Sequence, residues 1–275
     1  MKAGHDVIMA CRSGERCAAA KADLDARGLA GSCRCQGLDL SSFESSRRFT
    51  AELPASPSDR GSSTGRQISV LVNNAATMGE PDGMLPNHFG HFLLTRLLLP
   101  HMAPGGRIVT VGSEAHYRGS LEFEADSSRR GRLRLAPPPS NWYRAYARTK
   151  LCSLLFTAEL QRRLEQRGSS ITAYTASPGR VNTNIFHSVR GLLRAPLHLL
   201  ARAFFQTPAQ GAQTVLQTAL DPELQGKHVL YSHAMRPKTA SVAARDPALA
   251  EQLWVLSARE VGLSPEEDAR LWPPY

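Results

Sequence analysis

Apolar runs of strand length alternate with helix-length amphipathic stretches along almost the whole chain. This alternation restricts the fold more than any other property of the sequence. Strands are expected at residues 6–11, 33–38, 68–73, 107–111, 171–176 and 228–232, where β-branched and apolar side chains cluster. Helices are expected at 14–27, 42–53, 88–102, 142–167, 209–220 and 247–261, with Ser41 or Ser42 as the N-cap of the second. Two stretches without apolar period, 54–67 and 120–141, read as loops; the second holds Arg129-Arg130-Gly131-Arg132 and Pro137-Pro138-Pro139. Strands separated by helices of a dozen or more residues require crossover connections and hence a parallel sheet. The fold class is therefore α/β, a doubly wound parallel sheet of Rossmann type, with residues 1–275 as a single domain. Ligands of such sheets bind outside the carboxyl ends of the strands. Polar residues just after a strand are the first candidates for function.

Composition narrows the function classes. The 275 residues are 42% hydrophobic and 21% charged, which excludes disordered and collagen-like chains. The net charge of +9 rests on 28 Arg against 5 Lys, scattered over helices and one loop. No basic patch or tail forms, which argues against a nucleic-acid partner. Five cysteines, an odd number in a chain this size, suggest a reducing compartment and buried or idle thiols. Cys33-Arg34-Cys35 is too tightly spaced for a zinc ligand pair, so no metal is expected. The sequence contains no run of about 18 apolar residues and no signal-peptide pattern.

Four features sit at expected strand ends. Ser113 follows the strand 107–111, where its hydroxyl can hydrogen-bond a substrate oxygen; an ordinary turn or helix-capping role is the alternative. Asn73-Asn74-Ala75-Ala76 follows the apolar run Ile68–Val72, and its small residues let a flat ligand approach the backbone. Pro178-Gly179 ends another strand, with Val181 and Thr183 just beyond. Tyr146 and Lys150, four apart in a helix, share one face. A Tyr of pKa about 10 is a poor acid or base at neutral pH. A neighbouring ammonium stabilises its phenolate and lowers that pKa.

Together these residues resemble the short-chain dehydrogenase/reductase family, from about Asp6 to the final helix. The likeness rests on Ser113 with Tyr146 and Lys150, on Leu71-Val72-Asn73-Asn74-Ala75, and on Pro178-Gly179-Arg180-Val181-Asn182-Thr183. Asn87-His88-Phe89-Gly90-His91-Phe92 is similar to the segment carrying the family's fourth catalytic residue, which would be Asn87. Ala10-Cys11-Arg12 and His91-Phe92-Leu93-Leu94-Thr95 are most similar to the retinol-dehydrogenase-like branch. Within it, 154–163 and Gln252-Leu253-Trp254 are most similar to the polyprenol-dehydrogenase type.

The resemblance implies an NAD(P)-dependent oxidoreductase acting on a lipophilic alcohol or its aldehyde or ketone, of polyprenol/dolichal or retinoid type. Tyr146 would be the general acid/base. Lys150 would lower its pKa and bind the nicotinamide ribose, Ser113 would polarise the substrate oxygen, and Asn87 would hold a water of the proton relay. Asp39 would contact adenine. Arg12, after the first strand, would favour a 2′-phosphate and hence NADP over NAD. Asn73, Ala75, Pro178, Gly179, Val181 and Thr183 would complete the cofactor site. A homodimer and contact with the endoplasmic reticulum membrane or a lipid droplet are further expectations.

The chain departs from the family pattern in several places. No Gly-rich strand-to-helix turn precedes the first strand, which matches the family's second. The chain then reads as N-terminally truncated, lacking the first βα unit, with two open edges where a central strand would lie and weak cofactor binding expected. A non-catalytic or regulatory protein of the same fold is the competing function. Ala76 replaces a Gly, Gly112 replaces a Ser, the 74–87 stretch is short, and Ser113 and Tyr146 stand 33 positions apart. The stretch 186–205 alternates Leu192, Leu193, Leu197, Leu199, Leu200, Phe204 and Phe205 with Arg190, Arg194 and Arg202. It reads as a basic amphipathic helix, either a pocket lid or a membrane-surface element.

Overall fold

The computed structural model describes residues 4–53, 67–78, 83–126, 133–181, 205–227 and 231–272. The first third of the chain forms β1 (Val7–Cys11), α1 (Gly14–Asp25), β2 (Cys33–Gly37), α2 (Phe43–Ala51) and β3 (Ile68–Asn73). A π-helical turn (Leu85–Phe89) runs into α3 (Gly90–Leu98), followed by β4 (Met102–Val111) and a 3-10 turn (Glu114–Arg118). Then come the short strands β5 (Phe123–Ala125) and β6 (Leu133–Leu135), the long helix α4 (Trp142–Gln166) and β7 (Thr172–Ser177). The last part holds α5 (Pro208–Leu220), β8 (Tyr231–His233), β9 (Arg236–Pro237), α6 (Pro247–Glu260) and α7 (Pro265–Arg270). Thr183 and nearly all of the basic amphipathic stretch lie outside the described residues.

The main sheet has the order β3-β4-β7-β8-β9, parallel through β8, with β9 returning antiparallel. Alternate residues of β4 face opposite ways. Ile108 joins Phe92 and Leu93 of α3, Phe156 and Leu160 of α4 and Trp254 of α6 in one core. Val109 meets Val215 and Ala219 of α5 on the other side. Helices thus cover both faces, as the alternation of elements requires.

The parallel sheet is divided. Strands β1 and β2 pair with each other, Val7 opposite Cys33, and among the described strands neither joins β3. This pair is held to the rest by packing: Leu38 and Phe49 interlock with Leu94 and Leu98 of α3. A Cβ on Gly90 would lie 2.2 Å from the Leu40 carbonyl oxygen, so only Gly lets α3 approach so near.

Several expectations need correction. The cysteines are not all idle thiols: Cys17 on α1 and Cys35 on β2 form a disulfide, because the helix returns along the strand pair and brings their Cα atoms to 6.0 Å. Cys11, Cys33 and Cys152 remain free. The supposed loop after residue 120 carries the antiparallel β5–β6 hairpin. The helix expected at 88–102 ends at Leu98, and β4 starts earlier than residue 107. No group of three or more potential metal ligands occurs among the described residues.

Helix α7, which the apolar pattern does not announce, closes the core through a buried charge. Arg96 on α3 is fully buried. Its Nε donates to Asp268 Oδ1 at 2.9 Å and its Nη2 to the Asp268 carbonyl at 2.7 Å. The guanidinium lies 4.0 Å from the Trp272 ring centroid and 5.5 Å from that of Trp254. Burial lowers the Arg96 pKa to about 10, so the charge persists at neutral pH. Removing one partner of a buried pair leaves the other uncompensated, which costs about 3–5 kcal/mol. Asp268→Ala is expected to lower the urea unfolding free energy by about 3 kcal/mol. A change under about 0.5 kcal/mol would show that the aromatic rings and the residue-268 carbonyl hold Arg96 without the carboxylate.

Candidate active site

The carboxyl end of β4 places the first group. Ser113 follows Val111 and Gly112 in extended conformation, with φ −158° and ψ 151°. Its Oγ accepts from the Ala115 backbone N–H at 3.2 Å and so caps the 3-10 turn. The capping role and the candidate chemical role thus fall on one hydroxyl, whose proton remains available to donate.

Helix α4 places the next two. Asn141 caps it, its Oδ1 accepting from the N–H groups of Tyr143 at 3.0 Å and Arg144 at 3.1 Å. Leu151, Leu154 and Leu155 bury one side against Tyr231 and Leu253. Tyr146 and Lys150 are both buried, one turn apart. Lys150 Nζ donates to the Val111 carbonyl at 2.7 Å and lies 5.7 Å from the Tyr146 ring centroid. Ser113, Tyr146 and Lys150 therefore meet at one strand end.

Electrostatics at this strand end differ from the sequence expectation. Burial pushes the Tyr146 pKa up to about 12, and the nearby Ser113 hydroxyl, rather than Lys150, pulls against that rise. Burial lowers the Lys150 ammonium to about 8. In this geometry the phenol stays protonated at neutral pH.

Asn87 sits in the π-helical turn, a distortion frequent at functional sites. Its Oδ1 accepts from the Thr77 N–H at 2.8 Å, and its Nδ2 donates to the Thr77 carbonyl at 2.8 Å and to Thr149 Oγ1 at 3.2 Å. Thr149 in turn donates to the Tyr146 carbonyl at 2.8 Å. The Asn87 amide thus ties the segment after β3 to α4. Its carbonyl meets His91 Nδ1 at 3.2 Å. His91, driven by burial to a pKa of about 4, is neutral.

The remaining candidates follow other strands of the two parallel sheets. Asn73 is buried, and its Nδ2 donates to Thr95 Oγ1 at 2.8 Å, pinning β3 to α3. Ala75 is exposed just beyond. Arg12 is exposed at the end of β1. Asp39 Oδ1 accepts from the Ser41 N–H at 2.9 Å in the turn after β2. Pro178 leads into Gly179, whose φ of +85° suits Gly. Val181 bridges to Gln206 and fills the space where Gly211 has no side chain. Thr77, Thr149 and His116 were not anticipated, because they act on backbone atoms or on residues distant in sequence.

Gly112 explains one departure from the family pattern. A Cβ there would lie 2.5 Å from Cγ2 of Thr175 on the neighbouring strand. Gly112→Ala is expected to cost about 1–3 kcal/mol of stability in thermal unfolding. Adding Thr175→Ser, which removes that methyl, is expected to restore most of the loss. Equal stability of the single and double variants would refute the clash.

No family model matches the chain. It is 38% identical to Dehydrogenase/reductase SDR family member 13 of Bos taurus, an alignment covering 97% of this chain and 69% of that protein. It is 35% identical to polyprenol dehydrogenase of Mus musculus, over 82% of this chain and 67% of the relative. With retinol dehydrogenase 13 of Mus musculus the identity is 33%, over 96% and 78%. Among solved structures, an uncharacterised protein from Mycobacterium paratuberculosis aligns with a TM-score of 0.62 at 28% identity, covering 94% of this chain and 93% of that one. Serine dehydrogenase complexed with NADP+ aligns with a TM-score of 0.58 at 21% identity, covering 84% and 85%. Sequence identity that runs nearly the length of the chain, on a fold shared with solved dehydrogenases, shows that this chain belongs to the short-chain dehydrogenase/reductase family.

Proposed function

We propose that the chain is an NAD(P)-dependent oxidoreductase that interconverts a lipophilic alcohol and its aldehyde or ketone. One observation carries this reading: Ser113, Tyr146 and Lys150 converge at the carboxyl end of β4, with the phenol buried and protonated. The polyprenol and retinol dehydrogenases among its relatives support a long apolar substrate.

The residues fit the nicotinamide end of such a cofactor. Lys150 has three N–H donors and gives one to Val111, which leaves donors for ribose hydroxyls. The single methyl of Ala75 and the bare backbone of Gly179 leave room for a flat ring. Arg12 and Asp39, at the ends of β1 and β2, would meet the adenosine half, Arg12 favouring a 2′-phosphate. When bound, the nicotinamide supplies or accepts the hydride at the substrate carbon. In the direction of reduction, the Tyr146 phenol gives its proton to the substrate oxygen. The Ser113 hydroxyl donates to the same oxygen as charge builds on it. The buried Lys150 ammonium stabilises the phenolate left behind. On this reading the basic amphipathic stretch 186–205, nearly all of it outside the described residues, is the part of the sequence suited to a membrane or lipid-droplet surface. Among the described residues no helix is long and apolar enough to cross a membrane.

A second reading, a non-catalytic binding protein of the same fold, draws on one observation. Among the described residues no strand leads through a Gly-rich turn, the element that binds a pyrophosphate, into a helix. NADPH binding followed by fluorescence separates the two. On the first reading the chain binds NADPH and consumes it with an isoprenoid aldehyde, and Tyr146→Phe lowers kcat about 100-fold or more with binding retained. Failure of the unmodified chain to bind NADPH supports the second.

The pH profile gives an independent check. Lys150 carries its charge below about pH 8 and loses it above. The stabilising charge is therefore present at low pH and removed as pH rises. The reduction rate is expected to be level near neutrality and to fall toward about tenfold per pH unit above pH 8. A rate that rises through this range would contradict the role given to Lys150.

A further inference from the structure

We propose that His116 is a positioning residue that sets the Ser113 hydroxyl through a single imidazole tautomer. The proposal rests on the assignment of Ser113 to substrate polarisation. The His116 ring is fully buried, at 0% exposure. Its Nδ1 lies 2.7 Å from the Ser113 carbonyl oxygen, and its Nε2 lies 3.2 Å from the Ser241 backbone nitrogen. A carbonyl only accepts and an amide N–H only donates. The proton is therefore on Nδ1, and Nε2 accepts. Burial favours this neutral ring, with Glu114 and Lys238 as the charged groups acting on it.

The geometry shows how this imidazole reaches the hydroxyl. The Ser113 carbonyl receives both the His116 Nδ1–H and, at 3.2 Å, the His116 backbone N–H. Two donors on one oxygen fix the peptide plane between residues 113 and 114. That plane sets the course of the next residues, including the Ala115 N–H that binds Ser113 Oγ at 3.2 Å. On its other side the imidazole grips the segment after β9. Tyr117 packs against the ring at a tilt, with centroids 4.1 Å apart, and its hydroxyl donates to the Thr239 carbonyl in the same segment. Tyr231 closes the ring edge-on at 4.9 Å. An apolar ring of equal size would fill this space but leave a buried N–H and carbonyl short of partners, which costs about 1–3 kcal/mol per group.

Two substitutions separate the two nitrogens. Asn places an amide donor close to the position of Nδ1, and Gln places an amide oxygen close to that of Nε2. The experiment uses the full chain with tyrosine labelled at 13Cζ, the Tyr146 signal being assigned with Tyr146→Phe. That signal reports the Ser113 hydroxyl beside the phenol. Ser113→Ala provides the reference displacement.

His116→Gln is expected to shift the Tyr146 signal in the same direction as Ser113→Ala. His116→Asn is expected to return it close to the unmodified position, although both His116 variants lose melting temperature. In turnover, kcat is expected to fall about tenfold for His116→Gln and within about threefold for His116→Asn, with KM unchanged. Equal displacement by the Asn and Gln variants would overturn the proposal, as would no displacement by either while Ser113→Ala shifts the signal. Imidazole 15N shifts of the unmodified chain test the tautomer without any variant, and a proton found on Nε2 also overturns it. A Tyr146 signal and turnover unaffected by Ser113→Ala would instead remove the role of Ser113, and the positioning role with it.

Discussion

An ammonium group buried away from water needs an acceptor, and Lys150 finds one in the last carbonyl of β4, at 2.7 Å. That bond connects the long helix α4 to the strand whose end carries Ser113. Apolar packing alone holds α4 against the sheet through Leu151, Leu154 and Leu155, but such contacts tolerate small slides along the axis. A charge-assisted hydrogen bond to one named oxygen is directional. It selects the axial position at which Tyr146, one turn earlier, stands beside Ser113. The Asn87 network acts one residue away: Asn87 binds Thr149, and Thr149 binds the Tyr146 carbonyl. The same turn of α4 is thus fixed from the β4 side and from the β3 side.

Just beneath this edge the sheet carries an unusual row. Asn73, Thr110 and Thr175 are register partners on β3, β4 and β7, and all three are buried. Asn73 uses its amide nitrogen on Thr95, while its Oδ1 and the hydroxyls of Thr110 and Thr175 have no protein partner. Apolar residues of similar volume would stabilise a central sheet better at these positions. Local rules of stability tend to be broken where function sets the residue. The row lies directly under the strand end that bears the site.

Much of this was legible because it depends on periodicity. The strand Ile68–Asn73 was read with its observed limits, since Ile68, Val70, Leu71 and Val72 form a strong β-type run before the Asn pair. Tyr146 and Lys150 were legible because a four-residue spacing in a helix has one geometric meaning. The π-helical turn was not, because one extra residue in a turn leaves no trace in a 3.6-residue pattern. Nor was the Cys17–Cys35 bond, since five cysteines allow many pairings and composition favours none of them. His116 and Thr149 escaped because their partners are the Ser113, Ser241 and Tyr146 backbones, and a backbone atom is the same in every sequence. The pKa of Tyr146 was misjudged for a related reason: spacing gives the distance to an ammonium but not the depth of burial, and here burial dominates.

Division of the sheet changes how the two halves of a cofactor site can be related. In an undivided parallel sheet, ladder hydrogen bonds would fix the ends of β1 and β2 relative to the end of β3 within a strand spacing. Here the β1–β2 pair has its own ladder and its own Cys17–Cys35 link to α1. It meets the rest through Leu38 and Phe49 against Leu94 and Leu98, and through the close approach of Gly90 to Leu40. Side-chain packing resists separation but is less directional than a ladder. Arg12 and Asp39 are therefore placed by apolar contacts onto α3 and β3 and by the Arg47–Glu267 ion pair to α7, whereas Lys150 is placed by a hydrogen bond to the sheet itself. The reacting groups sit in the stiffer part, and the groups assigned to the adenosine end sit in the part that depends on α3. The N-terminus of α3 is continuous with the π-helical turn that carries Asn87. One helix thus supports the β1–β2 unit at its packed face and the Asn87 turn at its start, and any displacement of that helix reaches both ends of the candidate site together.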